Sequence, residues 1–241
     1  MKKTLLLASV FAVGAALATD FGSANALGVL QVSGSSKPKK VLLSVPFAGY
    51  GKDAKIKVSE LVETSTLPES TVLRVACEDE DGYYTWQLTA GSWAPVNDEV
   101  VSIDANGEQE QNKIVTPEAD KVTIGRGNSF WLELPSDPSD EIKYTLIGQQ
   151  DLSGSTGVAL TGGKWNLVGN PSVANYNVSA KISSKAKGDC ISVQNGTTGY
   201  LKTYNYDGAK WWCGLSSFDD VEINPGDGCW VHVASDTALE F

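Results

Sequence analysis

The chain has 241 residues, with 29 Asp and Glu against 19 Lys and Arg and a formal charge of −10. That balance disfavours a nucleic-acid partner, because a phosphate backbone is held by clustered basic residues. The one such cluster, Lys37, Lys39 and Lys40 around Pro38, reads as a solvated loop. Abundant Gly, a single Met and no sustained apolar period of helical spacing point to strands and turns.

Residues 1–26 carry the pattern of a cleaved signal peptide. Lys2 and Lys3 precede an apolar run from Thr4 to Ala18, and Ala24, Asn25 and Ala26 supply a small-residue cleavage site. The run is too short for a membrane span, so the remainder is expected to be exported whole and not to span a membrane. Losing two lysines and one aspartate with the leader takes the formal charge from −10 to −11.

An internal repeat organises the rest. The stretch Val72–Trp93 lies over Cys190–Trp211 without a gap at an offset of 118, and Val122–Asp137 lies over Val221–Asp236 at an offset of 99. Val122, Ile124, Gly127, Trp131, Ser136 and Asp137 are identical in the second alignment. At the start, LLSVPF from Leu42 resembles NLVGNP from Asn166, and GVLQV from Gly28 resembles YTLIG from Tyr144. The expected architecture is all-β: two tandem, homologous β-sandwich or barrel-like modules, 27–138 and 139–241, joined near the polar segment SDPSDE. The change of offset places an insertion in the first module. It reads as a β-hairpin near 99–116 turning at Asn106-Gly107, which suits a type I′ turn.

Alternation in the matched strands sets Trp86 and Leu88, with Tyr204 and Tyr206, on the core face. Trp93 with Trp211, and Trp131 with Trp230, occur at matched positions, which favours packing inside each module. The unmatched aromatics Trp212 and Tyr83 are then the candidate ligand platforms, able to stack on sugar rings. His232 has Glu133 as its counterpart and suits a wet face better than a catalytic role. Glu78, Asp79 and Asp81, with Glu80 between them, are candidate calcium ligands in a hairpin loop, though their spacing matches a calcium loop only in part. No other metal site and no cofactor are expected. Four cysteines in an exported chain, Cys77, Cys190, Cys213 and Cys229, are disulfide candidates; Cys190 and Cys229 are placed at core-phase positions, as a buried pair or as free thiols.

WNLVGNP at Trp165, the strands ending at Trp211 and INPGDGCWV at Ile223 resemble a repeat of exported Gram-negative bacterial proteins, with a W-N-L-x-G-N-P start and a P-G-x-G-x-W end. The first copy departs from it, with Val41 in place of the Trp, Val45-Pro46 for Gly-Asn and Arg126 for the Pro. The resemblance implies export to the periplasm, cell surface or medium and a paired β module, and it carries no catalytic residues. The functional expectation is a non-enzymatic structural or adhesive surface protein, self-associating or part of the envelope. The alternative is a carbohydrate-binding protein using exposed aromatic residues.

Overall fold

The structure is a computed structural model that describes residues 27–33, 39–47, 55–77, 82–103, 109–136, 142–149, 157–194 and 199–241. The leader, the Glu78–Asp81 loop, the Asn106-Gly107 turn and most of the SDPSDE segment lie outside the described residues.

The chain is all-β. Its earlier strands are β1 (Leu27–Ser33), β2 (Lys40–Ser44), β3 (Lys55–Lys57), β4 (Val72–Ala76), β5 (Tyr83–Thr89), β6 (Ser92–Val96), β7 (Asp98–Ile103), β8 (Gln109–Ile114), β9 (Thr123–Gly125), β10 (Ser129–Glu133) and β11 (Lys143–Gln149). The later ones are β12 (Val158–Leu160), β13 (Trp165–Gly169), β14 (Tyr176–Asn177), β15 (Cys190–Gln194), β16 (Leu201–Tyr206), β17 (Trp211–Cys213), β18 (Ser216–Phe218), β19 (Glu222–Ile223), β20 (Gly228–His232) and β21 (Thr237–Leu239). One α-helical turn, α1 (Val178–Lys181), follows β14.

Two larger sheets dominate, in the orders β2-β10-β4-β5-β6 and β13-β20-β15-β16-β17-β18. All their pairings are antiparallel, and the first five strands of each sheet are connected in the same way. Smaller ladders accompany each sheet: β1·β11 and β3·β9 beside the first, β12·β21 and β14·β19 beside the second. The inserted hairpin appears as β7·β8, paired only with itself in register Asp98↔Ile114. Thr116 closes its base, with a hydroxyl that accepts from the Thr85 amide and donates to the Val96 carbonyl.

Each sheet buries one face in its own apolar cluster. Trp86, Leu88, Trp93, Phe130, Leu132 and Leu73 fill the first; Ile191, Trp211, Cys229 and Val231 anchor the second. Trp86 also donates its indole N–H to the Pro117 carbonyl at 2.8 Å, so the buried polar edge is satisfied. Tyr204 and Tyr206 pack against the second cluster from its margin.

Three expectations change. The segments 28–32 and 144–148, set as counterparts, are instead partners across one ladder, with Val29 opposite Ile147. The register of β2 and β13 moves by one residue: Ser44 lies opposite Ser129 as Gly169 lies opposite Gly228, which puts Lys40 rather than Val41 in the place of Trp165 and Pro46 in the place of Pro171. A one-residue slip exchanges the faces of a strand, so this register decides which side chains point away from the core. Third, the four cysteines are free thiols. Cys229 lies opposite Val193 on the core face of β20, whereas Cys190 is three residues from Val193 and so projects from the opposite face. The two cannot bond through a sheet, and of the two only Cys229 holds a core-phase position.

The core-free faces of the two sheets meet each other. Ser44 donates its amide to Gly226 O at 2.9 Å and Gly169 donates to Gly127 O at 2.7 Å, a reciprocal pair of bonds; the bridges Leu43↔Asp227 and Asn128↔Val168 are reciprocal in the same way. Ser129 adds a hydroxyl bond to Val168 O at 2.6 Å. A Cβ on Gly169 would stand 2.3 Å from the Cβ of Ser44, and one on Gly228 would stand 2.4 Å from Ser129 Oγ and 2.7 Å from Leu42 Cγ. Glycine is required at both positions by close approach. Gly169→Ala and Gly228→Ala should each lower stability by about 1–3 kcal/mol in chemical denaturation, as overpacking does. Ser44→Gly, which removes the opposing Cβ, should recover part of the loss in the Gly169→Ala background.

Candidate functional site

Beyond that tight seam the sheets diverge, and a cleft of about 560 Å³ opens between their outer faces. Its lining falls into four pairs, each contributed half by one sheet and half by the other: Lys40 and Trp165, Arg74 and Ser192, Tyr83 and Leu201, Trp131 and Trp230. The ladders establish the pairing. Lys40 lies opposite Glu133 as Trp165 lies opposite His232; Arg74 opposite Trp131 as Ser192 opposite Trp230; Tyr83 opposite Ala76 as Leu201 opposite Gln194.

Strand alternation explains why these residues converge. In β10, Phe130 and Leu132 are fully buried in the core, so Ser129, Trp131 and Glu133 project outward: the serine into the seam, the tryptophan into the cleft. In β20, Cys229 and Val231 face inward and Gly228, Trp230 and His232 outward in the same order. Trp93 and Trp211 are core residues as expected, but Trp131 and Trp230 line the cleft. Matched position favours packing inside each module, but a site lying where the two sheets face each other is built from matched positions as well.

The residues of the segment 165–171 sit at this junction. Trp165 is half exposed at the cleft mouth, its ring tilted against His232 at 5.4 Å. Asn166 accepts from the Thr161 amide and donates to the Thr161 carbonyl, tying down the loop before β13. Gly169 is in the seam. Asn170 is fully buried and donates to the carbonyls of Ala174 and Ile223. The Pro171 carbonyl accepts from Arg126 Nε at 2.8 Å, so the arginine that aligns with Pro225 reaches across to the other sheet. Gln194 fastens the junction from the second sheet: its Oε1 accepts from the Leu42 amide and its Nε2 donates to the Lys40 carbonyl, both at 2.8 Å. A side-chain amide thus pairs with the free edge of β2 as another strand would.

Charge is unequal along the cleft. Arg74 Nη1 binds Glu133 Oε2 at 2.7 Å, and Lys39 lies 3.9 Å from the same carboxylate. The Arg74 bond, foremost, holds Glu133 below the usual carboxylate range. Lys40 stands 5.0 Å over the Trp131 ring, and burial, then the Arg74 charge, pull its pKa down. Burial likewise pushes the Tyr83 phenol up. The opposite half of the cleft, from Trp165, Ser192 and Leu201, carries no charge of its own.

Of the two ligand platforms expected from sequence, the structure brings Tyr83 into the cleft and leaves Trp212 out of its lining. Trp212 is 39 % exposed and donates its indole N–H to Asp207 Oδ2 at 2.7 Å, which ties it to the turn that starts at Asp207-Gly208. The amides of Lys210 and Ala209, then that indole, hold the Asp207 carboxyl low. The calcium candidates Glu78, Asp79 and Asp81 lie outside the described residues, among which no three His, Cys, Asp or Glu side chains gather as a metal site. No helix among the described residues is long and apolar enough to cross a membrane.

Comparison of the chain with protein-family models, with curated proteins and with solved structures finds no match in any of the three.

Asp227 provides a test of the seam. It occupies the position that Asn128 holds in the first sheet, and its carboxyl is pushed above the usual range by burial, against the opposing bonds from Asn224. A raised folded-state pKa means that its favourable contribution is full below the ordinary carboxylate value and is lost as pH rises through the raised value. Asp227→Asn should therefore raise the thermal midpoint at neutral pH and leave it unchanged below the carboxylate range, a comparison made by calorimetry across pH.

Proposed function

We propose that the protein is a non-catalytic carbohydrate-binding protein, exported by its leader, whose ligand seats in the cleft between the two sheets. The observation that carries this reading is the convergence of three indoles, Trp131, Trp165 and Trp230, on one open cleft of a size common for small-ligand sites. Indole faces pack against the C–H faces of pyranose rings, while the neighbouring phenol of Tyr83, hydroxyl of Ser192 and cations of Lys40 and Arg74 offer polar contacts to ring substituents. Exposed aromatic surface is costly to maintain in water; Trp165 is half exposed and Trp230 partly so, with Trp131 buried beside them, and such an opening suits a partner that covers it.

The structural and adhesive reading is not displaced so much as given a means: a surface protein that holds a glycan adheres through it. His232, the mature chain's single histidine, packs against Trp165 and in this reading supports the wall of the site rather than a reaction.

The cleft also bears on the chain's organisation. We infer that the two larger sheets descend from one duplicated unit, from their shared connectivity and reciprocal seam. On this reading the division falls between Gln149 and Val158, a placement supported by the pairing of β1 with β11 and of β12 with β21. On that division the SDPSDE segment belongs to the first unit.

A glycan array read with wild type and two variants tests the site. Trp165→Ala, at an exposed position, should weaken the strongest glycan signal by about tenfold, as removal of an aromatic anchor does. Trp212→Ala should leave it unchanged. Failure of the wild-type protein to bind any glycan removes the proposal.

A further inference from the structure

The two halves of the cleft are matched in position but not in chemistry. Where the second sheet presents Trp165, Ser192 and Leu201, the first presents Lys40, Arg74 and Tyr83. Trp131 and Trp230 are the one pair kept alike. Two equal halves would admit a ligand in either direction. Unequal halves give it a direction.

Among the described residues the cationic half carries charge in surplus. Around it stand Lys39, Lys40 and Arg74, and the carboxylate that meets them among the described residues is Glu133, which Arg74 engages at 2.7 Å and Lys39 approaches at 3.9 Å. No salt bridge among the described residues reaches Lys40, whose ammonium lies over the Trp131 face. The guanidinium of Arg74 has five N–H donors, so its bond to Glu133 leaves others for a second partner. All this occurs in a chain of formal charge −10, on which a local excess of cations stands out as a target for anions.

We propose that the cleft selects acidic saccharides and holds them one way round, the carboxylate of a uronic acid at Lys40 and Arg74 and a neutral ring face on Trp165 and Trp230. Charge complementarity chooses the occupant and the indole wall chooses its ring face. The inference rests on the carbohydrate reading above. It adds the substrate class, and it assigns discrimination to one half of the cleft and shared affinity to the other.

The test uses trigalacturonic acid and its fully methyl-esterified form as probes, titrated calorimetrically into the full mature protein. Wild type should bind the acid at least about tenfold more tightly than the ester, since a charge-assisted hydrogen bond is worth more than a neutral one. Lys40→Gln, at an exposed side chain, should bring the ratio toward one, and Arg74→Gln should do the same provided its circular dichroism matches wild type. Trp165→Ala should weaken acid and ester together and keep their ratio.

Equal wild-type affinity for acid and ester overturns the acidic preference and leaves the carbohydrate reading standing. A Trp165→Ala variant that loses the ratio, or a Lys40→Gln variant that keeps it, overturns the division of labour between the halves. Binding of neither probe, together with silence across the glycan array, overturns the carbohydrate reading and this inference with it. Binding of neither while neutral glycans bind overturns the inference alone.

Discussion

Two β-sheets that each already bury one face in a core can bring the backbones of their other faces into direct contact only where side chains nearly vanish. Ser44 and Ser129 on one side meet Gly169 and Gly228 on the other, close enough that a single added methyl at either glycine would overlap its neighbour. Backbone bonds from Ser44 to Gly226 and from Gly169 to Gly127 then cross the junction, which makes the seam a short stretch of main-chain pairing rather than an apolar interface. The rest of the arrangement follows from that contact. Because it is confined to one end of the strands, the twisted sheets part beyond it, and larger residues on the same faces line the space.

The gradation along a single strand expresses this economically. Outward positions of β10 run from Ser129 in the seam to Trp131 in the cleft to Glu133 at its charged margin; those of β20 run from Gly228 to Trp230 to His232. Small residues set the approach and aromatic residues fill the divergence. Gln194 and Arg126 add bonds that have no reciprocal partner, since the counterparts of these residues are Ala76 and Pro225. The two halves are thus held in one relative position while their cleft-facing chemistry differs, and that difference is what the proposed selectivity uses.

Much of the strand layout was legible in sequence. Trp86 and Leu88 lie in the core where alternation placed them, and the hairpin insertion pairs over Asp98–Ile114. The cleft was not legible, for a physical reason. A strand covered on both faces loses its alternation, so Ser129-Phe130-Trp131-Leu132 reads as a uniformly buried run in which a core ring and a cleft ring look alike. Matched position could not separate them either, because the cleft draws equivalent residues from both sheets. The register of β2 is the least legible: sequence similarity sets Val41 against Trp165, whereas the ladders set Lys40 there, and a one-residue slip hides the contrast between the two halves. A usable signal was present in Pro46 and Pro171, which align once the register is moved. Cys190 and Cys229 align with positions of the first copy that read as core-phase in sequence, yet they project from opposite sides of their sheet.

Native-state hydrogen exchange at the amides of Ser44, Gly169 and Leu42 tests the seam most directly, because these three donate across the junction to Gly226, Gly127 and Gln194. If the sheets are joined as described, all three exchange only through the global opening that also releases core amides such as those of Phe130 and Val231. Exchange of Ser44 and Gly169 at the rate of exposed amides, with the two cores still protected, would show that the sheets do not meet through these residues and would leave the cleft without its frame.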